Sequence, residues 1–233
     1  MDAFDISRVG IQVKGNFIVG LGLSSCKLTS FPESITNLKF LQTLKLYNNQ
    51  LTSLPESFGQ LKSLQILHLG ANKLTTLPKP ILQLKSLQKL NLEGNQLSTL
   101  PKSLEQLELL QKLDLRWNKL TTLPESFGQL KSLQSLSLWG NRLSTLPESF
   151  GDLKSLETLD LSNNQLITLP EPILELKSLF HTLSLGGNQL TTLPESFIDL
   201  LSLKTLYIKN NPLNLRAKDF LKRLKKKGVD VIN

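Results

Sequence analysis

The hydrophobic positions of this chain fall into one frame that recurs along nearly its whole length. In the stretch from Leu110 to Ser132, LQKLDLRWNKLTTLPESFGQLKS, the leucines 110, 113, 115 and 120 and Asn118 read L-x-x-L-x-L-x-x-N-x-L. The asparagine slot recurs at Asn49, Asn72, Asn95, Asn118, Asn141, Asn164, Asn188 and Asn211, with Cys26 in the same slot one unit earlier. Each step is 23 residues, except for 24 between Asn164 and Asn188, where the extra residue falls around Leu179, Phe180 and His181 and reads as a bulge or loop. Such a period marks stacked units, none of which can bury its apolar face alone.

Within each unit, positions two apart share a strand face, so Leu113 and Leu115 point inward while Asp114 and Arg116 point out. Stacking then predicts a parallel sheet with strands about 4.8 Å apart over a continuous leucine core. The Asn side chain, with one donor group and one acceptor, sits where the strand ends and can satisfy backbone groups inside the buried turns. Cys26 replaces only part of that bonding, which suits a first coil. After the strand comes L-x-x-L-P, with prolines at 32, 55, 78, 101, 124, 147, 170 and 194. Proline fits the first position of a helical turn, which predicts short helical or 3₁₀ turns on the outer side. Leu123, Phe127 and Leu130 would pack those turns inward, and Phe58, Phe150 and Phe197 repeat the Phe127 position.

The ends depart from the frame. Val9, Ile11 and Val13 alternate, Gly15-Asn16 supplies a turn, and Phe17 to Leu23 follows, which predicts an N-terminal hairpin cap over residues 1–17 with the first repeat strand. Asp2 to Arg8 reads as a helical turn. Repeats span 18–213. Over residues 214–233, Ala217, Phe220, Leu221 and Leu224 keep helical spacing, Gly228 is a stop, and Val229 and Val231 alternate, predicting a cap helix and a short closing strand.

At nine units, from about Ile18 to Leu213, the chain resembles the leucine-rich repeat family, whose pattern accepts Asn or Cys at the polar slot. Its L-P-x-S-F/I-G-x-L-K-S-L linkers are similar to intracellular prokaryotic 23-residue repeats and to the Ras-group repeat proteins of eukaryotes. The resemblance implies an α/β solenoid of about nine repeats, with a curved parallel sheet on the concave side and short helical or 3₁₀ turns on the convex side. It also implies a recognition scaffold, with a protein partner such as a small Ras-like GTPase, although no motif here assigns GTPase binding to particular residues.

Composition narrows the setting. No run approaches the ~18 apolar residues of a membrane span, and Met1 to Gly10 carries Asp2, Asp5 and Arg8 without an apolar core, so no secretory leader is expected. A single cysteine forms no internal disulfide and fits a reducing compartment, hence a cytoplasmic, monomeric protein. The net charge of +8 is concentrated between Arg216 and Lys227, where seven basic residues face Asp219 alone, leaving only +2 for the remainder.

Function is sought where the fold leaves residues free, at the third, fifth, seventh and eighth frame positions on the concave face. Both tryptophans and both tyrosines of the chain fall there, on about a seventh of its residues. Trp117 and Trp139 belong to consecutive coils, and Trp, Tyr and Arg are enriched at binding hot spots because they offer large area with few rotatable bonds. The expected partner site is therefore Tyr47, His68, Glu93, Asp114, Arg116, Trp117, Trp139, Asp160 and Tyr207. No catalytic or metal set emerges: His68 and His181 lie five coils apart, roughly 24 Å, and Asp114 and Glu93 are interleaved with Lys89, Lys112 and Arg116 as surface ion pairs. No cofactor is expected, since no Gly-rich loop precedes a helix. The alternative is anion, nucleic-acid or acidic-membrane binding through Lys218, Lys222, Arg223, Lys225 and Lys226 on one side of the terminal helix. With no aromatic interleaved and the last turn basic, a solubilising cap is the simpler reading, and nucleic acid is the less expected partner.

Overall fold

The computed structural model describes residues 9–176, 182–194, 197 and 203–233. The helical turn read over Asp2 to Arg8 and the irregular stretch at Leu179, Phe180 and His181 lie outside them. Eleven strands form one sheet in chain order: β1 (Val9–Lys14), β2 (Phe17–Leu23), β3 (Thr43–Lys45), β4 (Ile66–His68), β5 (Lys89–Asn91), β6 (Lys112–Asp114), β7 (Ser135–Ser137), β8 (Thr158–Asp160), β9 (Thr182–Ser184), β10 (Thr205–Tyr207) and β11 (Asp230–Ile232). Every pair from β2 to β11 is parallel. Across each pair the inward leucines stack, Leu113 on Leu136 on Leu159, and side chains such as Leu115, Leu138 and Leu161 have no solvent exposure. The extra residue of the long unit lies between Leu176 and Thr182, because Thr158 pairs with Thr182 in unbroken register.

The convex side carries seven described five-residue 3₁₀ turns, from Glu33–Asn37 to Glu171–Glu175. Proline stands one place earlier than the sequence suggests. It is the residue before each turn, and its carbonyl accepts the first turn bond, as Phe127 N–H donates to Pro124 at 2.9 Å. Phe58, Phe127 and Phe150 are fully buried, with Phe127 and Phe150 stacked at 6.1 Å. Gly128 follows Phe127 because any side chain there would strike the backbone carbonyl of Ser149 in the next coil. After several of the turns a lysine reaches across to the next one: Lys85 Nζ donates to the Gln106 carbonyl at 3.0 Å, and Lys131 and Lys154 do the same to Asp152 and Glu175 at 3.3 Å.

The asparagine column links coils. Asn118 Oδ1 accepts from Leu97 N–H at 3.0 Å, while its Nδ2 donates to the Leu92 carbonyl of the preceding coil at 3.0 Å and to Leu115 of its own at 3.1 Å. Asn49, Asn72, Asn95, Asn141, Asn164, Asn188 and Asn211 repeat this three-way bond. Cys26 is exposed and reaches only the Ser24 carbonyl of its own coil, at 3.6 Å, so it ends the column without bridging.

At the N-terminal end β1 pairs antiparallel with β2 around Gly15-Asn16, with a register shift at Gln12/Val13. Ile11 faces the same way as its partner Leu21, toward the core, and β1 is the first strand of the sheet among the described residues. Val9, Ile11 and Val13 are about 60% exposed. At the other end the helix α1 (Leu215–Lys226) is capped by Asn214, whose Oδ1 accepts from Ala217 N–H at 2.8 Å, and it buries Ala217, Phe220, Leu221 and Leu224. Two consequences follow for stability. Asn118→Ala orphans Leu97 N–H and removes one of the two amide donors from each of the Leu92 and Leu115 carbonyls, which keep Asn95 and Asn141, and is expected to lower unfolding free energy in urea by about 2 kcal/mol, whereas Cys26→Ala at the free end should change it by less than about 0.5 kcal/mol.

Candidate functional site

The concave face is ruled by the strand register into columns. One runs Lys45, His68, Asn91, Asp114, Ser137, Asp160, Ser184, and the next begins Thr43, Ile66, Lys89, Lys112, Ser135 and Thr158. Between them lies an open trough of about 480 Å³, lined by His68, Asn91, Arg116, Ser137, Asp160 and their neighbours. Neighbouring strands bring these side chains shoulder to shoulder, so most are half-buried rather than free in solvent.

The charges at its centre are organised around Arg116. Its Nη2 lies 2.7 Å from Asp114 Oδ2 and 3.0 Å from Glu93 Oε2, and its Nε bonds both Asp114 oxygens at 3.0 Å. Hydrogen bonding by Asp114 binds the guanidinium proton more tightly than usual, with further help from the charges of Glu93 and Asp160. Asn91 Nδ2 donates to Asp114 Oδ2 at 3.3 Å. Asp160 stands two strands away and accepts from its own loop, Ser162 N–H, at 2.9 Å. Ser137 lies between the two aspartates in register, and its buried hydroxyl makes no hydrogen bond. His68 is held below the ordinary imidazole pKa, first by burial and then by the positive charges of Lys45 and Lys89, against a weaker pull from Asp114.

The aromatic pair sits where the strands end. Trp117 and Trp139 meet edge to face, with ring centres 4.1 Å apart at 72°. Trp117 occupies the eighth frame position, whose N–H donates to the next coil, Trp117 to the Trp139 carbonyl at 2.9 Å and Gly94 to Arg116 at 2.8 Å. Continuing the ladder there forces left-handed backbone, and the column holds Ser25, Asn48, Ala71, Gly94, Gly140, Asn163, Gly187 and Asn210, all at positive φ. Trp117 at φ 53° is the bulky exception; a large side chain in this conformation costs about 1 kcal/mol relative to glycine. Its ring lies on Gly140, where an added Cβ would come within 2.9 Å of Trp117 Cε3, and the residue is 52% exposed. Sequence reasoning named both tryptophans but missed Gly140 and Ser137. Gly140 looks like any turn glycine of its column, and Ser137 like any small polar residue of its own.

The other expected site residues are spread out. Tyr47, over Gly70, and Tyr207 are both exposed, but β3 and β10 each lie three strand steps, about 14 Å, from the tryptophan coils. The structure thus gathers Glu93, Asp114, Arg116, Trp117, Trp139 and Asp160, with His68 at the trough's edge, and leaves both tyrosines apart. On α1, Lys218, Lys222 and Lys225 line one hollow with Asp219. Lys222 Nζ pairs with Asp219 at 2.8 Å and Lys225 Nζ reaches Asn233 at 3.4 Å. Arg223 does not share that side as the sequence reading had it: its guanidinium packs 5.7 Å over the Phe220 ring, because it follows the buried face by less than one turn. Lys226 is exposed in the last turn. Among the described residues no three His, Cys, Asp or Glu side chains cluster to hold a metal, and no helix is long and apolar enough to cross a membrane.

A family model described as a leucine-rich repeat region matches residues 20–95 and 90–165, and a single Leucine Rich Repeat model matches 155–176. The chain belongs to the leucine-rich repeat proteins. A search of curated proteins gives no match. Among solved structures, the LRR protein LIC12759 of Leptospira interrogans is 35% identical, with 92% of this chain and 72% of that one covered and a TM-score of 0.46. A TDR receptor is 32% identical over 79% of this chain and 33% of its own, with a TM-score of 0.72. The plant peptide hormone receptor RGFR1 in complex with RGF2 is 29% identical over 85% and 35%, with a TM-score of 0.63. The chain spans about a third of the length of these two receptors.

Relieved strain and lost ring packing oppose each other at Trp117, so Trp117→Asn is expected to change stability in urea by less than about 1 kcal/mol. A loss above about 2 kcal/mol would make the ring a structural element. For His68, the unfolded imidazole takes up its proton below about pH 6.5 while the folded one resists. Stability from this group is complete above that pH and declines as pH falls toward the depressed folded value. Between pH 7.5 and 5.5 the wild type should therefore lose more stability than His68→Asn, a residue that the same column accepts at Asn91.

Proposed function

We propose that this chain is a noncatalytic interaction module that binds a protein partner through its concave sheet face. Trp117 carries the reading: a large ring, half exposed, is held in a backbone conformation that its column otherwise fills with small or turn-forming residues. Its contacts with Trp139 and Gly140 of the next coil still leave the residue 52% exposed, and strain retained at an exposed aromatic points to a binding role. Trp139 supports it edge-on, Gly140 makes room for it, and the Glu93–Arg116–Asp114 network beside it presents fixed charge that sets register with a partner. The carboxylates nearest one another are committed to Arg116, which leaves no free pair for acid–base work. RGFR1, of the same fold, is a peptide hormone receptor in complex with RGF2, which supports a polypeptide as the class of ligand. By resemblance to the Ras-group repeats, a small GTPase is one candidate. A monomeric cytoplasmic protein fits the single cysteine.

Affinity capture from lysate of the source cell tests this. A protein retained by the wild type should be lost with a folded Trp117→Ala/Trp139→Ala variant, each ring contributing about 2 kcal/mol or more, and kept with Lys222→Glu/Lys226→Glu. Retention by the tryptophan variant, or nucleic acid as the captured species with loss on charge reversal and steep salt dependence, would move the site to α1.

A further inference from the structure

The trough is electrically polarised, and its charges specify what fits. On one side Lys89 and Lys112 stand side by side in β5 and β6, and neither has a side-chain partner among the described residues. In the middle, Arg116 closes onto Asp114 and Glu93, a paired group of one guanidinium and two carboxylates that keeps one net negative charge, with Asp160 acting on the same guanidinium at longer range. On the far side Asp160 accepts only from Ser162 N–H, with no cation paired to it among the described residues. Beside it the buried Ser137 hydroxyl has no hydrogen-bond partner. Two strand steps and two residues of rise put Lys112 and Asp160 roughly 12 Å apart. The one coil between them carries Trp139 at its strand end, and Trp117 stands at the end of the Lys112 strand.

We infer that the concave face selects an extended peptide segment lying across the strands, with an acidic side chain for Lys89 and Lys112, a basic side chain for Asp160, and a large apolar side chain reaching from the segment toward the tryptophans at the strand ends. The reading rests on the protein-binding role proposed above and names the chemistry of the partner. In extended chain, ~3.3 Å per residue places the acid and the base three or four residues apart. A helix rises ~1.5 Å per residue and would need about eight, so the spacing reports the bound conformation. Opposite charge order would set an acid against Asp160 and a base against the lysines, which this face rejects.

Phage-displayed random linear peptides are selected on the immobilised full chain, counter-selected on Trp117→Ala/Trp139→Ala, and the enriched peptides are synthesised for calorimetry. Enriched sequences should carry the acid and base three or four residues apart. Asp160→Asn and removal of the peptide's basic group should each weaken binding about tenfold, the two together no further. Asp160→Lys should recover affinity when the peptide's basic residue is replaced by Glu. Peptides that need both tryptophans but ignore Asp160→Asn, or whose charges sit about eight apart, overturn this inference and leave the concave interaction site standing. Peptides indifferent to the tryptophans, or no enrichment, overturn both.

Discussion

The structure depends on the three-way hydrogen bond of the asparagine column. A parallel strand that ends after three residues must hand its chain into a turn inside the core, where backbone groups meet no water. Each Asn answers this by accepting from one coil and donating to two carbonyls, as Asn118 does for Leu97, Leu92 and Leu115. The bond is directional and joins neighbours only, so it sets the period and keeps it even across the 24-residue unit, where Asn188 still bonds Leu166 and Leu161. Stability is then a nearest-neighbour sum along the stack, and the ends are different in kind. α1 closes one end with four buried side chains, while at the other β1 carries Val9, Ile11 and Val13 about 60% exposed.

Once inward positions and turns are assigned to the stack, the concave columns are what remains for recognition. They are not equally free. The eighth position must be left-handed because its N–H serves the next coil, a constraint that glycine and asparagine meet with little strain and tryptophan does not. Trp117 therefore stands against its local rule, and its surroundings accommodate it: Gly140 beneath the ring and Trp139 against its edge. The charges nearby follow a similar logic. Arg116 pairs with two carboxylates at close range, while Asp160 and the lysine pair, at the two poles of the trough, have no ion pair of their own among the described residues.

Much of this was legible in the chain. The spacing of Asn and Leu fixes which side chains point inward, because strand geometry allows no other face for residues two apart. Placement of Trp117, Trp139, Asp114 and Asp160 on one surface follows from the same count, whereas Tyr47 and Tyr207, expected in the same site, stand three strand steps from the tryptophan coils. Basic residues on the terminal helix were less readable, since the helical angle alone does not show that Arg223 would pack on the rim of Phe220.

By itself, then, the sequence determined the coil, its period, its core and the surface on which recognition is sought, because those are consequences of local periodicity repeated in register. The tertiary structure decided what depends on the approach of different coils. The closed Glu93–Arg116–Asp114 network, the edge-to-face tryptophans and the buried Ser137 hydroxyl all arise from contacts between units. Rotamer choice and neighbouring backbone settle such contacts, and a periodic pattern of residues carries no record of either.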